Sequence, residues 1–274
     1  MKYIKKLIIY TNKYVSRIRT INYSRFWNFI FIIINNPVRI NPTENENKIL
    51  ITDNEHSIYI SQKIRAWFYF KSINNRFESL SRMYFFDQII FDDDDIIVDC
   101  GANIGEIYHS IKLVNSNNFY YYGFEPVPSE FELVQLNTIN QISRPLALFD
   151  KNEQRRLFVH KAGADSTLLQ DDRYEDGGMT ECIRLDSLNQ LKGKKIKLLK
   201  LEAEGAELEV LIGCGEILRN IEYISADIGF ELDQGRKSNQ EEVTAHLEKN
   251  NFYKVTFNSR YVNLFKNKNF LVSN

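Results

Sequence analysis

A chain of 274 residues with 35 Lys and Arg against 36 Asp and Glu carries a formal net charge of −1, which excludes a globally basic nucleic-acid binder. The length can bury a full core, as one large domain or one domain with an extension. The 3 Cys are odd in number and far apart, and no pair of the 4 His has ligand spacing, so a reducing, cytoplasmic compartment and no structural zinc are expected.

Residues 1–40 contain no acid, whereas Lys2, Lys5, Lys6, Lys13, Arg17, Arg19, Arg25 and Arg39 are basic. Ile4, Leu7, Ile8, Val15 and Ile18 fall on one helical face. Phe26 to Ile34 is nearly all apolar, but a membrane span needs about 20 such residues, and no small-residue cleavage site follows. Two readings stay open for residues 1–40. One is a basic amphipathic helix making a peripheral contact with the inner membrane face. The other is a helix packed on the body or on another subunit, so oligomerisation also stays open. The polar run 41–47 reads as a linker, which makes residues 1–47 a basic extension. Residues 48–90 form a cap or lead-in, with a hairpin around Asp53-Asn54 and then a mainly helical stretch over Ser61–Phe86. The latter carries Trp67, Phe68, Phe70, Phe77, Tyr84 and Phe85, which could cover a cofactor or simply form core.

Residues 91–274 hold the main domain, organised around Asp95–Gly105, D-I-I-V-D-C-G-A-N-I-G. Ile96, Ile97 and Val98 predict a strand buried on both faces. Gly101 and Gly105 bracket a tight turn through Ala102 and Asn103, and Ile104, Ile107 and Ile111 follow at helical spacing. Such a corner lets backbone approach a ligand and offers it free helix N–H groups. The run is not G-x-G-x-x-G, and Asp99 stands two residues before the first glycine. A carboxylate there suits an ammonium rather than a pyrophosphate, as in S-adenosylmethionine.

A second strand, Phe119–Phe124, ends in Glu125-Pro126, about 20 residues past the turn, where a carboxylate can accept from both ribose hydroxyls. Ser129 and Glu132 have capping-box spacing, and Pro145–Phe149 reads as the third strand. An insertion follows, with strands over Arg155–His160 and Thr180–Leu185 around the polar loop Lys161–Gly178. In Lys195–Gly205, Leu198, Leu199 and Leu201 predict a buried strand on which Lys200, Glu202 and Glu204 alternate on one side. Such charges must pair or face a polar cleft. A fifth strand, Ile221–Phe230, brings Asp227 and Glu231 to the same end. Ser238 and Glu241 are spaced to cap a further helix, and Phe252–Phe257 with Tyr261–Phe265 make a hairpin around Asn258-Ser259. The sum is an α/β sandwich with an antiparallel edge.

D-C-G-A-N-I-G at 99–105, G-F-E-P at 123–126, I-R-L-D-S-L at 183–188 and L-K-L-E-A-E-G-A-E at 199–207 resemble, in order, the motifs of the FkbM family of class I methyltransferases. The last is the most specific, and Glu202 stands where that family usually has Asp. The resemblance implies a Rossmann-like, mostly parallel seven-stranded sheet ending in an antiparallel hairpin. It also implies S-adenosylmethionine as cofactor and O-methylation, often of glycan or other metabolite hydroxyls. Asp99, Gly101, Ala102, Asn103, Gly105, Glu125 and Pro126 are the expected cofactor residues. Lys200, Glu202 and Glu204 are the expected catalytic group, with Glu204 orienting or deprotonating the acceptor, and Asp227 and His160 in reserve as base. No metal is expected, although Glu202, Glu204 and Asp227 could in principle hold one. The alternatives are a nicotinamide-dependent oxidoreductase, disfavoured by Asn103 and the closing hairpin, and a non-catalytic partner of glycan-assembly enzymes.

Overall fold

The apolar run Ile96–Val98 lies at the centre of a seven-stranded sheet. In the computed structural model, residues 2–45, 48–160, 166–169, 174–229, 239–257 and 262–271 are described. The chain divides into two units, Met1–Leu80 and Ser81–Asn274.

In the second unit, β4 (Asp95–Cys100) pairs in parallel with β5 (Phe119–Phe124) on one side and with β11 (Ile196–Leu201) on the other. Outward from these lie β6 (Ile142–Arg144) beyond β5, and β12 (Ile221–Asp227) beyond β11. β13 (Phe252–Phe257) and β14 (Val262–Asn267) complete the order β6-β5-β4-β11-β12-β14-β13, with β14 antiparallel to both its neighbours. The chain runs outward from β4 in one direction and resumes at β11 on the other side. The crevice at the carboxyl ends of β4 and β11 is therefore the topological switch point, where open α/β sheets bind ligands.

Alternation along the strands puts two different layers on the two faces. Val98, Cys100, Tyr122, Phe124, Leu199, Leu201, Ile224 and Ala226 form one core with helices α6 (Glu207–Cys214) and α7 (Gln240–Lys249). On the opposite face, Tyr108 of α4 (Glu106–Val114) meets Phe119 and Tyr121 edge-on. Helix α5 (Pro128–Asn137) follows β5. A smaller four-stranded sheet is built from β7 (Ala147–Leu148), β8 (Glu153–His160), β9 (Ser166–Thr167) and β10 (Tyr174–Ile183), in the order β7-β10-β8-β9.

Several sequence expectations shift. The expected third strand, Pro145–Phe149, is not in the main sheet: the main sheet takes the preceding Ile142–Arg144, and of the expected run Ala147–Leu148 joins the smaller sheet. Pro145 cannot donate to a ladder and falls between them. Helix α5 starts with Pro128 at its first position and has no side-chain cap, so Ser129 does not cap it. The strand expected over Lys195–Gly205 ends at Leu201. Phe230, Glu231, Ser238 and the Asn258-Ser259 turn lie outside the described residues, as do positions 161–165 and 170–173 of the polar loop.

The first unit holds α1 (Lys2–Val15), α2 (Thr20–Ile33), an antiparallel sheet of β1 (Arg39–Pro42), β2 (Ile49–Thr52) and β3 (Ser57–Ile60), and α3 (Ile73–Met83) as far as Leu80. Residues 41 and 42, expected in a linker, are thus strand. The packed face of α1 is Asn12 and Val15, whereas Leu7 and Ile18 are exposed. Asn12 wins the inner position because its amide donates to the carbonyls of Lys63 and Ile64 and its oxygen accepts from Tyr23. Tyr23, Trp27 and Phe31 bury the matching face of α2, with Phe70 against Trp27 and Phe31.

Candidate active site

Two strand-to-helix turns meet at the carboxyl edge of the sheet. In the first, Gly101 takes a left-handed φ of 75°, and a Cβ there would lie 2.2 Å from the Glu202 carbonyl oxygen. Its backbone is pressed against the second turn too tightly for any side chain. The N–H groups of Gly101 and Ala102 both donate to the Phe124 carbonyl, at 3.1 and 2.9 Å. Asn103 (φ 50°) and Gly105 (φ 84°) are also left-handed, and α4 begins directly after Gly105 with no side-chain cap. Its first N–H groups are thereby offered to a ligand.

Glu125 fixes this turn from the neighbouring strand. One carboxylate oxygen accepts the Asn103 N–H at 2.7 Å, and the other accepts the Val127 N–H at 2.9 Å. Burial pushes the Glu125 carboxyl up to about 8, against the pull of those two donors. Pro126 sits between Glu125 and Val127 and brings no N–H of its own.

A polar row crosses the sheet one level below the turns. Strand register aligns Gly123, Asp99, Lys200 and Ser225 on four adjacent strands. Lys200 is 1% exposed, and its Nζ lies 3.3 Å from Asp99 Oδ1 and 2.9 Å from Glu202 Oε2. It also donates to the Gly101 carbonyl at 2.7 Å. Burial opposes the ammonium, but Asp99 and Glu202 outweigh it and raise the Lys200 pKa. The Tyr121 hydroxyl donates to Asp99 and the Tyr84 hydroxyl to Glu202 (2.8 Å). Burial and these carboxylates hold both phenols protonated. Ser225 donates to the Tyr84 carbonyl at 2.7 Å, which anchors that tyrosine to β12.

The second turn leaves β11. Glu202 N–H continues the ladder by donating to the Cys100 carbonyl. Glu204 then adopts a left-handed φ of 47°. Glu207, 1% exposed, folds back from α6 to accept the N–H groups of Ala203 (2.8 Å) and Gly205 (3.2 Å) and a bond from the Asn239 amide. Thr167 of the smaller sheet donates to the Glu204 carbonyl at 2.8 Å. A carboxylate side chain in this backbone region costs about 1–2 kcal/mol that a glycine would avoid. The turn is held from three sides to keep it there.

The structure thus gathers Asp99, Gly101, Ala102, Asn103, Gly105, Glu125, Lys200 and Glu202 into one bonded cluster, with Glu204 in the adjoining turn. Asp99 is fully buried against Lys200 and Tyr121. Asp227 ends β12, near enough to raise the Tyr84 pKa. His160 ends β8, edge-on to Tyr174. Sequence reasoning passed over Tyr121, left Tyr84 among aromatics that could cover a cofactor or form core, and read Glu207 as a first-turn acid favourable to the helix dipole without its bonds back to the Ala203 and Gly205 N–H groups. The spacing of Glu207 in the Glu204-Gly205-x-Glu207 run was the available signal for the last of the carboxylates. Among the described residues, no group of three or more His, Cys, Asp or Glu side chains could hold a metal.

A sheet with this strand order, switch point and antiparallel β14 defines a class I, Rossmann-like methyltransferase. The Methyltransferase FkbM domain model matches residues 99–254, more than half of the chain, and the chain belongs to that family of methyltransferases. None of the curated proteins matches it. Among solved structures, methyltransferase FkbM from Methylobacillus flagellatus KT is similar at 13% identity and a TM-score of 0.46, over 66% of this chain and 47% of that one. The chain therefore spans about half the length of that relative. A SAM-dependent methyltransferase from Aquifex aeolicus is similar at 12% identity and a TM-score of 0.39, over 70% and 95%. TrmK from M. capricolum, bound to S-adenosylhomocysteine, is similar at 11% identity and a TM-score of 0.37, over 68% of each chain.

Family membership makes S-adenosylmethionine the cofactor, and the donor set fits it. The α4 end, which has no side-chain cap, offers its first N–H groups. The Glu125 carboxylate has about four acceptor positions, of which Asn103 and Val127 fill two, leaving capacity for a ribose diol.

Proposed function

We propose that the protein O-methylates a hydroxyl of a sugar, in a cell-surface glycan or a related metabolite, and works in the cytoplasm. S-adenosylmethionine supplies a methyl group already activated by its sulfonium. The residues therefore have to position a hydroxyl and take its proton. Glu204 orients or deprotonates that hydroxyl, and Lys200 with Glu202 and Tyr84 holds the floor of the site in place. Asp227 is the second candidate for the proton.

One observation carries this reading: Glu204 keeps a charged side chain in a left-handed turn where glycine would cost less. Strain of this kind persists when its neighbours over-determine it, as Glu207 and Thr167 do here. The carboxylates of Glu202, Glu204 and Asp227 at one strand edge also suit an acceptor rich in hydroxyl donors. The test is transfer of labelled methyl from S-adenosylmethionine into fractionated host glycans, lipids, proteins and nucleic acids. Label in a glycan fraction, released as an O-methyl sugar, is the expected result. Label confined to protein or nucleic acid would overturn the sugar assignment.

A further inference from the structure

The first unit carries helices whose outward faces are apolar. On α1, Tyr3, Leu7, Tyr10 and Tyr14 recur at helical spacing and are 89%, 66%, 71% and 76% exposed. They line the side away from Asn12 and Val15. Helix α2 is apolar on both sides. Its buried side holds Tyr23, Trp27 and Phe31, yet Phe29, Ile32 and Ile33 on the other are 63%, 62% and 64% exposed. A helix apolar all round is ordinarily covered all round, and exposed apolar stripes of this length on successive helices mark a binding surface.

Charge selects the occupant. Residues 1–43 contain no Asp or Glu. Lys6, Lys13, Arg17, Arg19 and Arg25 are exposed beside the apolar stripes. A second copy of the chain would bring the same positive charge against itself. An anionic bilayer would neutralise it, accept the apolar side chains below the headgroups and take the tyrosine hydroxyls at headgroup level. Neither helix can cross: among the described residues, no helix is long and apolar enough to span a membrane. We propose that α1 and α2 are an in-plane docking surface for an anionic lipid bilayer. The proposal is independent of the acceptor hydroxyl.

Each basic group near the surface strengthens binding about fivefold, and the effect falls within a Debye length. The test is flotation of the full chain with vesicles of phosphatidylcholine alone and of phosphatidylcholine with phosphatidylglycerol, at low and high salt. The chain should float with the anionic vesicles at low salt and not with the neutral ones. Lys13→Glu with Arg17→Glu, and separately Leu7→Ser with Tyr10→Ser and Tyr14→Ser, should each weaken binding more than tenfold. Both variants should keep the thermal midpoint and the S-adenosylhomocysteine affinity of the parent, because these side chains are exposed. Equal flotation with both vesicle types overturns the proposal. So does no flotation together with a dimer, seen by light scattering, that the triple substitution disperses; the face is then an interface between copies. Binding unchanged in both folded variants also overturns it.

Discussion

The turns after β4 and after β11 make the same connection, strand to helix, on adjacent parallel strands, and they are put to opposite use. The β4 turn spends its special backbone positions on Gly101, Asn103 and Gly105 and leaves α4 uncapped. The β11 turn puts a glutamate at its left-handed position and ties its own Ala203 and Gly205 N–H groups to the Glu207 carboxylate. On the function proposed above, the first corner would meet the cofactor with backbone and the second would meet the acceptor with side chains. The 2.2 Å that a Cβ on Gly101 would leave to the Glu202 carbonyl oxygen shows why the first corner cannot carry a side chain at the seam.

Removing the shared floor should damage both corners and give the largest effect. Lys200→Met leaves Asp99 and Glu202 as buried or half-buried carboxylates without their ammonium. Breaking a buried pair in this way costs about 3–5 kcal/mol, which urea unfolding would read directly. An unchanged midpoint would mean that Lys200 does not support the two turns.

Glu204→Gly separates the corners. It relieves the left-handed backbone, so the thermal midpoint should stay equal or rise, and cofactor affinity should hold. Turnover should fall roughly 10²-fold, the contribution expected of a positioned proton acceptor. Near-normal turnover in this variant would return the acceptor role to Glu202 or Asp227.

The smallest effect belongs to the cofactor corner. Glu125→Gln makes Asn103 and Val127 compete for one carbonyl oxygen, and S-adenosylhomocysteine affinity should drop about 10-fold by calorimetry. The same variant changes the pH dependence of the cofactor-free protein. The Glu125 carboxyl is raised from 4.5 to about 8 on folding, so between those values the folded state holds a proton that the unfolded state has lost. Stability from this group is present at low pH and declines as pH rises through that window. The Gln variant should lack this decline, and a parent whose midpoint is flat from pH 5 to 8 would contradict it.

The contrast between the turns also explains what could be read in the amino-acid order. Gly101–Gly105 and Glu125 are local patterns that fell at the strand-to-helix turn and strand end where spacing placed them, whereas of the Lys200–Glu207 run only Lys200 and Leu201 lie on the expected strand. The α/β class and the antiparallel edge followed from the alternation of elements and the closing hairpin, and the count of seven strands from the family resemblance. What could not be read was partnership across strands. Asp99 meets Lys200 only because β4 and β11 lie side by side, and Tyr84 meets Glu202 from 118 residues away. Glu204 looked like the third member of an alternating face because the end of β11 at Leu201 leaves no mark in a run of leucine, lysine and glutamate. Likewise, the stripe expected to pack α1 was displaced because Asn12, polar by composition, is the residue with inward hydrogen-bond partners.

The long reach of those contacts has a consequence for biogenesis. The bonds from Lys200 to the Gly101 carbonyl, from Tyr84 to Glu202 and from Ser225 to Tyr84 span 99, 118 and 141 residues of chain. Loop closure over such distances comes late in folding, after local helices and hairpins have formed. A ribosome-bound chain that ends before Ser225 has both halves of the cofactor corner, yet it lacks the strand that anchors Tyr84 over the lysine. Enzymatic competence should therefore arrive as a single late event, when β12 docks, and not in proportion to the length synthesised.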